Sequence, residues 1–451
     1  MNNPLETLTT SIKTLVENKK YATLRDILIT MNAVDIAALM EDIPESSIPL
    51  LYRLLPKELA ADTFVEMEPE MQELLIHGFS DNELKEVLDE LYVDDAVDII
   101  EEMPANVVKR ILSAADAEKR QMINTILKYP DDSAGSIMTT EFVELRLHMT
   151  VEDAILRIRR SGIDKETINT CYVTSKERKL LGVVTIRDLI MGDPDDTMEE
   201  LMEDNVIFAE TVTDQEEVAR MFSKYGFLTI PVVDTEERLV GIVTIDDVMD
   251  VMQEEVSEDI DKMNAMLPSE KPYLRRSTFE LWKSRIPWLL FLMISATFTG
   301  MIIRKFEGAL SKFVVLTAYI PMLMDTGGNS GSQSSVTIIR AISLREVEFK
   351  DLPVVIFKEM RVSLLCGITL AVCNFAKLMI FDRLTFTVAM VICLTLLFTI
   401  FCAKFIGCTL PIITARLGFD PAVMASPFIT TIVDAVSLLV YFQFASNMLS
   451  L

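Results

Sequence analysis

Histidine is almost missing from this chain: His77 and His148 are the only two in 451 residues. That excludes the imidazole-rich zinc, copper or iron centres, which draw on several histidines. Cysteine is sparse as well. Only Cys171 lies outside apolar segments; Cys366, Cys373, Cys393, Cys402 and Cys408 lie within them, and no two have CxxC spacing. A disulfide framework is excluded, and a reduced cytosolic region with small apolar membrane cysteines is expected. Basic residues are too few for nucleic acid: 42 Lys and Arg face 68 Asp and Glu, for a net charge of −26. Phosphate backbones need the opposite balance. An acidic surface instead favours cations or a basic partner. No nucleophile–base pair or phosphate motif emerges, so an enzyme is not expected. The opening MNNPLETLTT lacks a basic, then apolar, pattern, so no cleaved signal peptide is expected.

What is present divides sharply. Half the residues are hydrophobic, yet 24% are charged. Residues 1–284 hold 29 basic and 59 acidic groups, whereas residues 285–451 hold 13 and 9. An acidic soluble part is joined to a nearly neutral apolar part.

Residues 1–133 read as an acidic helical domain, because apolar residues recur at helical spacing with prolines between. DIAALMEDIP (Asp35–Pro44) resembles DAVDIIEEMP (Asp95–Pro104), and AADTFVEMEP (Ala60–Pro69) is a looser copy. Such units stack into an all-α superhelix. Residues 134–252 change character. LLGVVTIRDLI (Leu180–Ile190) returns as LVGIVTIDDVM (Leu239–Met249), each after an amphipathic helix and a hairpin with a charged turn. This pattern resembles a tandem CBS pair, an α+β module. Residues 253–284 read as an acidic connecting helix and a linker.

Five apolar segments follow in residues 285–451: Trp288–Ile303, Phe313–Ile342, Val362–Phe381, Phe386–Ile413 and Ala422–Leu449. Each approaches or exceeds the ~20 residues that cross a bilayer. Pro321 and Pro411 mark expected kinks in the second and fourth. Basic residues cluster before the first segment and between the second and third. Both flanks should be cytosolic. That places the N-terminal domains in the cytosol and the C-terminus outside a multi-pass inner (plasma) membrane protein.

Two stretches carry unusual chemistry for hydrocarbon. PMLMDTGGNSGSQSSVTIIR (Pro321–Arg340) packs glycines, amides, hydroxyls and an aspartate into one apolar segment. Unsatisfied polar groups there cost several kcal/mol each, so they face another helix or a wet cavity. Asn329 and Gln333 share a helical face, while Gly327, Gly328 and Gly331 let a backbone or a hydrated ion approach. Asp434 is the only acidic residue of the fifth segment. Ser426, Thr430, Asp434 and Ser437 form one polar stripe with it. An intramembrane carboxylate is a functional residue by default. Carboxylate, amide and hydroxyl oxygens suit a hard ion such as Mg²⁺, Ca²⁺ or Mn²⁺. One Asp is thin for a site, but a two-fold dimer would bring two to one axis. Lys377 and Lys404 remain as alternative partners for Asp434.

PMLMDTGGNSGSQSS, GFDPA and the helix with Asp434, in this domain order, resemble the MgtE-type magnesium channels and transporters over essentially the whole chain. The resemblance implies a homodimeric Mg²⁺ uptake channel in the lipid bilayer. Its pore would be lined by Gly328, Asn329, Gln333, Ser426 and Thr430, with Asp434 binding the ion. It also implies gating by cytosolic Mg²⁺ among Glu216, Asp247, Asp250, Glu255, Glu258, Asp259 and, at the inner end of the pore, Asp420. Where another acid is expected in the second CBS unit, the chain has Gly226. CBS modules bind adenine nucleotides, which would set ATP against Thr185 and Asp188; Thr244 and Asp247 are the counterparts in the second copy. The alternatives are a transporter of Co²⁺, Mn²⁺ or Ca²⁺ with the same regulation, and a non-conducting membrane sensor.

Overall fold

The computed structural model describes residues 4–162, 165–269, 273–274, 276–424 and 426–449. They form two compact units, residues 1–252 and 253–451.

In the first unit, ten α-helices run between Pro4 and Ile126 among the described residues. Helix Ala33–Glu41 packs on Lys57–Val65, that on Asp81–Glu90, and that on Ala105–Ala114. This skipping contact is how a helical solenoid grows: each short helix buries its apolar stripe against the next but one. Each quoted repeat covers a helix body and the turn that ends it. Prolines sit where they cost no hydrogen bond, Pro56 and Pro104 as N-caps and Pro69 in a first turn. Ser80 and Glu83 close a capping box at the start of Asp81–Glu90.

The CBS copies are two equivalent three-stranded sheets. Strands β1 (Val143–Arg146), β2 (Thr170–Thr174) and β3 (Leu180–Thr185) make the first; β4 (Ala209–Glu210), β5 (Thr229–Val233) and β6 (Leu239–Thr244) make the second. The expected hairpins are β2–β3 and β5–β6, with Tyr172 opposite Val183 and Ile230 opposite Val243. Each has an irregularity at the same place, and each turn carries one left-handed residue, Arg178 and Glu237. The parallel first strand of each sheet was not evident from the repeat. Tyr172 is fully buried and donates its hydroxyl to Thr229 Oγ1 at 2.8 Å, tying the two copies together.

The acidic connecting helix starts earlier than the charge pattern suggests. It spans Ile245–Met263, because the last CBS helix continues directly into it.

In the second unit the long helices are Thr278–Lys305, Ile320–Ser343, Leu352–Ile380, Phe386–Arg416 and Ser426–Leu449, called first to fifth below. Among the described residues four helices are long and apolar enough to cross a membrane. The second is not among them, because its polar run lowers its hydropathy, although 24 residues would reach about 36 Å. Pro321 does not kink this segment. A 3-10 turn, Val314–Tyr319, comes first, and Pro321 sits in the helix's opening turn, where its missing N–H has no partner to lose. Pro411 does lie inside the fourth helix.

Glycines set the closest packing. A Cβ on Gly407 would collide with the carbonyl oxygen of Gly331, so the backbones of helices two and four touch. A Cβ on Gly328 would lie 2.8 Å from Thr430 Cγ2, which seats the fifth helix against the second. In this chain the glycines of the polar run serve close helix contact.

Candidate ion-binding site

The second and fifth helices line an open cavity of about 430 Å³, formed by Ile320, Pro321, Met324, Asp325, Gly328, Asn329, Thr430 and Asp434. Asp434 Oδ1 is buried there with no hydrogen-bond partner. Lys377 and Lys404, the two alternative partners for it, are engaged elsewhere. Lys377 pairs with Asp382 at 3.6 Å. Lys404 is buried, donates to Ser334 Oγ at 3.0 Å and lies 3.6 Å from Glu359. Ser334 in turn donates to Glu359 Oε2 at 2.7 Å. This closed network ties helices two, three and four and was invisible in the sequence, since its members lie 25 to 70 residues apart.

Gly328, Asn329, Thr430 and Asp434 therefore share one cavity. Gln333 lies a turn further along the same exposed face, outside the lining. Ser426 opens the fifth helix, and its side chain lies outside the described residues. Ser437 leaves the stripe: it is fully buried and donates to Val433 O at 2.6 Å. Asp325 joins the cavity without having been singled out from its run.

At one end of this unit, Lys262 Nζ lies 2.6 Å from Glu258 and 2.8 Å from Asp420. Burial alone would push Lys262 down, but the hydrogen bonds it donates to Asp420 and Glu258 raise it above its usual value. An ammonium thus bridges two acids that the resemblance assigned to a metal. Glu255 and Asp259 lie on the same helix, Ile245–Met263.

The first unit holds the opposite arrangement, acids beside acids. Asp94 is 6% exposed on the helix Val93–Glu102, with Oδ1 unpartnered. Burial, then Asp247, pushes it well above the carboxylate range. Burial lifts Asp95 to about 6, Asp247 to about 7 and Glu166 to about 8, with neighbouring acids adding to each. Lys119 offsets Asp95 only in part, because its ammonium is directed to the carbonyls of Leu88 and Leu91. Asp250 forms a second group with Glu66, both raised by burial first. Among the described residues no three His, Cys, Asp or Glu side chains converge closely enough to hold a metal ion. Glu216 sits apart, 3.5 Å from Arg220 on its own helix. Gly226 caps that helix with φ +68°, a left-handed conformation that explains glycine there.

Thr185 and Asp188 cap each other at the start of the helix after β3, with Asp188 N donating to Thr185 Oγ1 at 3.2 Å. Thr244 and Asp247 repeat the side-chain contact after β6.

The fold and the cavity define an integral membrane protein whose soluble part carries a CBS pair and whose helical bundle has two carboxylates, Asp325 and Asp434, lining one cavity. Residues 320–444 match the family described as a divalent cation transporter, 31–132 the MgtE intracellular N domain, and 134–193 and 198–254 the CBS domain. A magnesium transporter MgtE from Thermus thermophilus is 36% identical over 98% of this chain and 99% of its own. One from Bacillus subtilis is 32% identical over 96% and 95%. A crystal structure of the cytosolic domain of the Mg²⁺ channel MgtE in complex with ATP is 36% identical, covers 54% of this chain and 99% of that one, and superposes with a TM-score of 0.52. The chain belongs to the MgtE family of magnesium transporters, and with transporters rather than enzymes.

Proposed function

We propose that this chain takes up Mg²⁺ as a homodimeric channel in the inner (plasma) membrane, with its N-terminal domains cytosolic and its C-terminus outside. The observation that carries this reading is the orphaned Oδ1 of Asp434 in a cavity of about 430 Å³ whose lining includes no lysine or arginine. A bare carboxylate in the bilayer costs roughly 2.5–3.5 kcal/mol, and a divalent cation offsets that cost. Six waters at ~30 Å³ each need roughly 180 Å³, so the cavity admits a hydrated ion. Mg²⁺ gives up water reluctantly, and an Asn, a Thr and one carboxylate per chain suit an ion that keeps its water.

The cavity opens on the side of the second helix where Asn329 and Gln333 are exposed in a single chain. A second copy across a two-fold axis would close it and pair the Asp434 carboxylates. Gln333 and Ser426 would line the same path nearer the cytosol, and Asp420 its inner mouth.

Gating follows from the cytosolic acids. Like charges ~4 Å apart repel by about 4 kcal/mol at an effective dielectric near 20, and a divalent ion between them reverses the sign. Asp247 and Asp250 lie where Asp94, Asp95 and Glu66 would share such ions, and Glu216, Glu255, Glu258, Asp259 and Asp420 would hold others. High cytosolic Mg²⁺ would then hold the acidic domains together and close the pore. The ATP of the related cytosolic domain supports nucleotide binding at Thr185 and Asp188.

The test is divalent-ion flux into proteoliposomes, wild type against Asp434→Ala, at low and high Mg²⁺ on the cytosolic side. Flux should vanish in the variant with assembly retained, and wild-type flux should fall at high Mg²⁺. Unchanged flux in the variant overturns the pore assignment. Preferred passage of Co²⁺, Mn²⁺ or Ca²⁺ in competition would replace Mg²⁺ as substrate.

A further inference from the structure

Asp325 occupies the second turn of the second helix and lines the same cavity as Asp434. We infer that Asp325 is a second ion-binding carboxylate of the conduction path, a capture and specificity residue that meets the arriving cation before Asp434 does. This rests on the channel reading proposed above and deepens it.

Helices two and five run antiparallel, since Gly327 faces Val433 and Ser437 while Gly331 faces Ile429. Asp434 therefore lies level with about residue 328, and Asp325 sits about one turn, roughly 5 Å, closer to the start of the second helix. In the proposed topology that end faces outside. Asp325 and Asn329 are four residues apart and share a helical face, so the two side chains and Asp434 form a short ladder along one cavity.

Energy points the same way. An aspartate turned to lipid within the bilayer is costly. Asp325 is exposed in the single chain and opens to a cavity whose lining includes no basic residue to neutralise it. A hydrated path that carries cations removes the cost at both carboxylates.

The consequence is charge number. With Asp434 alone a dimer offers two carboxylates; with Asp325 it offers four, spread over two levels. Four fixed negative charges concentrate divalent ions far more than monovalent ones, since the attraction scales with ion charge. They also give a captured ion a resting place from which a second ion can displace it inward.

The experiment compares Asp325→Asn, Asp325→Glu and Asp434→Asn with wild type in Mg²⁺-flux proteoliposomes, with dimer assembly and thermal stability measured on each. Asp325→Asn should raise the half-saturating external Mg²⁺ about tenfold, which is about 1.4 kcal/mol of binding. It should also weaken the dependence of that value on ionic strength and make flux more sensitive to K⁺. Asp325→Glu should restore most of all three. A stable, assembled Asp325→Asn protein with wild-type saturation and salt dependence would overturn the inference, and an inactive Asp434→Asn beside it would leave the channel reading standing. Total loss of flux in both Asp325 variants, with assembly intact, would also overturn it, because charge capture predicts rescue by Glu. If Asp434→Asn conducts normally, the channel reading fails, and the inference with it.

Discussion

Glu359 and Asp94 are both acids removed from solvent, but the two units treat them in opposite ways. Glu359 accepts from Ser334 and lies beside the Lys404 ammonium. Its charge is answered inside the chain. Asp94 sits among Asp95, Asp247 and Glu166 with an oxygen unpartnered. Burial and the acids around it both disfavour its charged form. A buried opposite-charge pair reads as structure, whereas buried like charges read as a demand for something from outside. Asp434 belongs with the second kind, although it lies in the same bundle as Glu359.

The largest stability effect should come from Glu359→Ala, which strands Lys404 in the bundle. Loss of one partner from a buried pair costs about 3–5 kcal/mol, read as a large drop in the melting temperature of the detergent-solubilised protein. Glu359→Leu with Lys404→Met should recover most of it. If the single variant melts like wild type, the pair is not the structural tie argued here.

Next comes the pH response of the first unit. Asp95, Asp247 and Glu166 have folded values of about 6, 7 and 8 against ordinary values of 3.8, 3.8 and 4.5. The folded state therefore holds more protons between about pH 4 and 8. Stability contributed by the protonated cluster is full below pH 4 and is lost as pH rises to 8. In chelator stability should fall steadily across that range, and Mg²⁺ should reverse the fall at the upper end. Asp94→Asn should flatten both responses. Melting curves from pH 5 to 8, with and without Mg²⁺, decide it; a flat profile in chelator would refute the like-charge reading. The smallest effect is Thr185→Ala. Loss of an N-cap costs about 1 kcal/mol, measurable by denaturant titration. If Thr185 also meets nucleotide, ATP affinity should fall with it.

Much of this was legible beforehand because it is written in local patterns. The 59-residue repeat gave the hairpins, and Asp434 stood out because a single acid in an apolar helix is costly. Asp94 left a signal that charge counting hides: it falls on the apolar stripe with Val93, Ala96, Val97 and Ile100, so helical spacing alone could have marked it as buried. The Lys404–Glu359 network and the Lys262–Asp420 contact left none. Each joins residues distant in sequence, and nothing local says which ammonium meets which carboxylate. Pro321 was misread because proline is equally at home in a kink and in a first turn, and only the preceding 3-10 turn separates the two.

The Gly331–Gly407 contact has a mechanical consequence. With two main chains touching there and no side chain as a cushion, neither helix can rotate about its own axis without carrying the other. The Lys404 network clamps the third helix to the same pair. Asn329 is thus mounted on a stiff three-helix block. The first helix, which has Thr299 as its one buried residue among those described, stands outside this block and stacks Phe291 on Phe428 of the fifth helix.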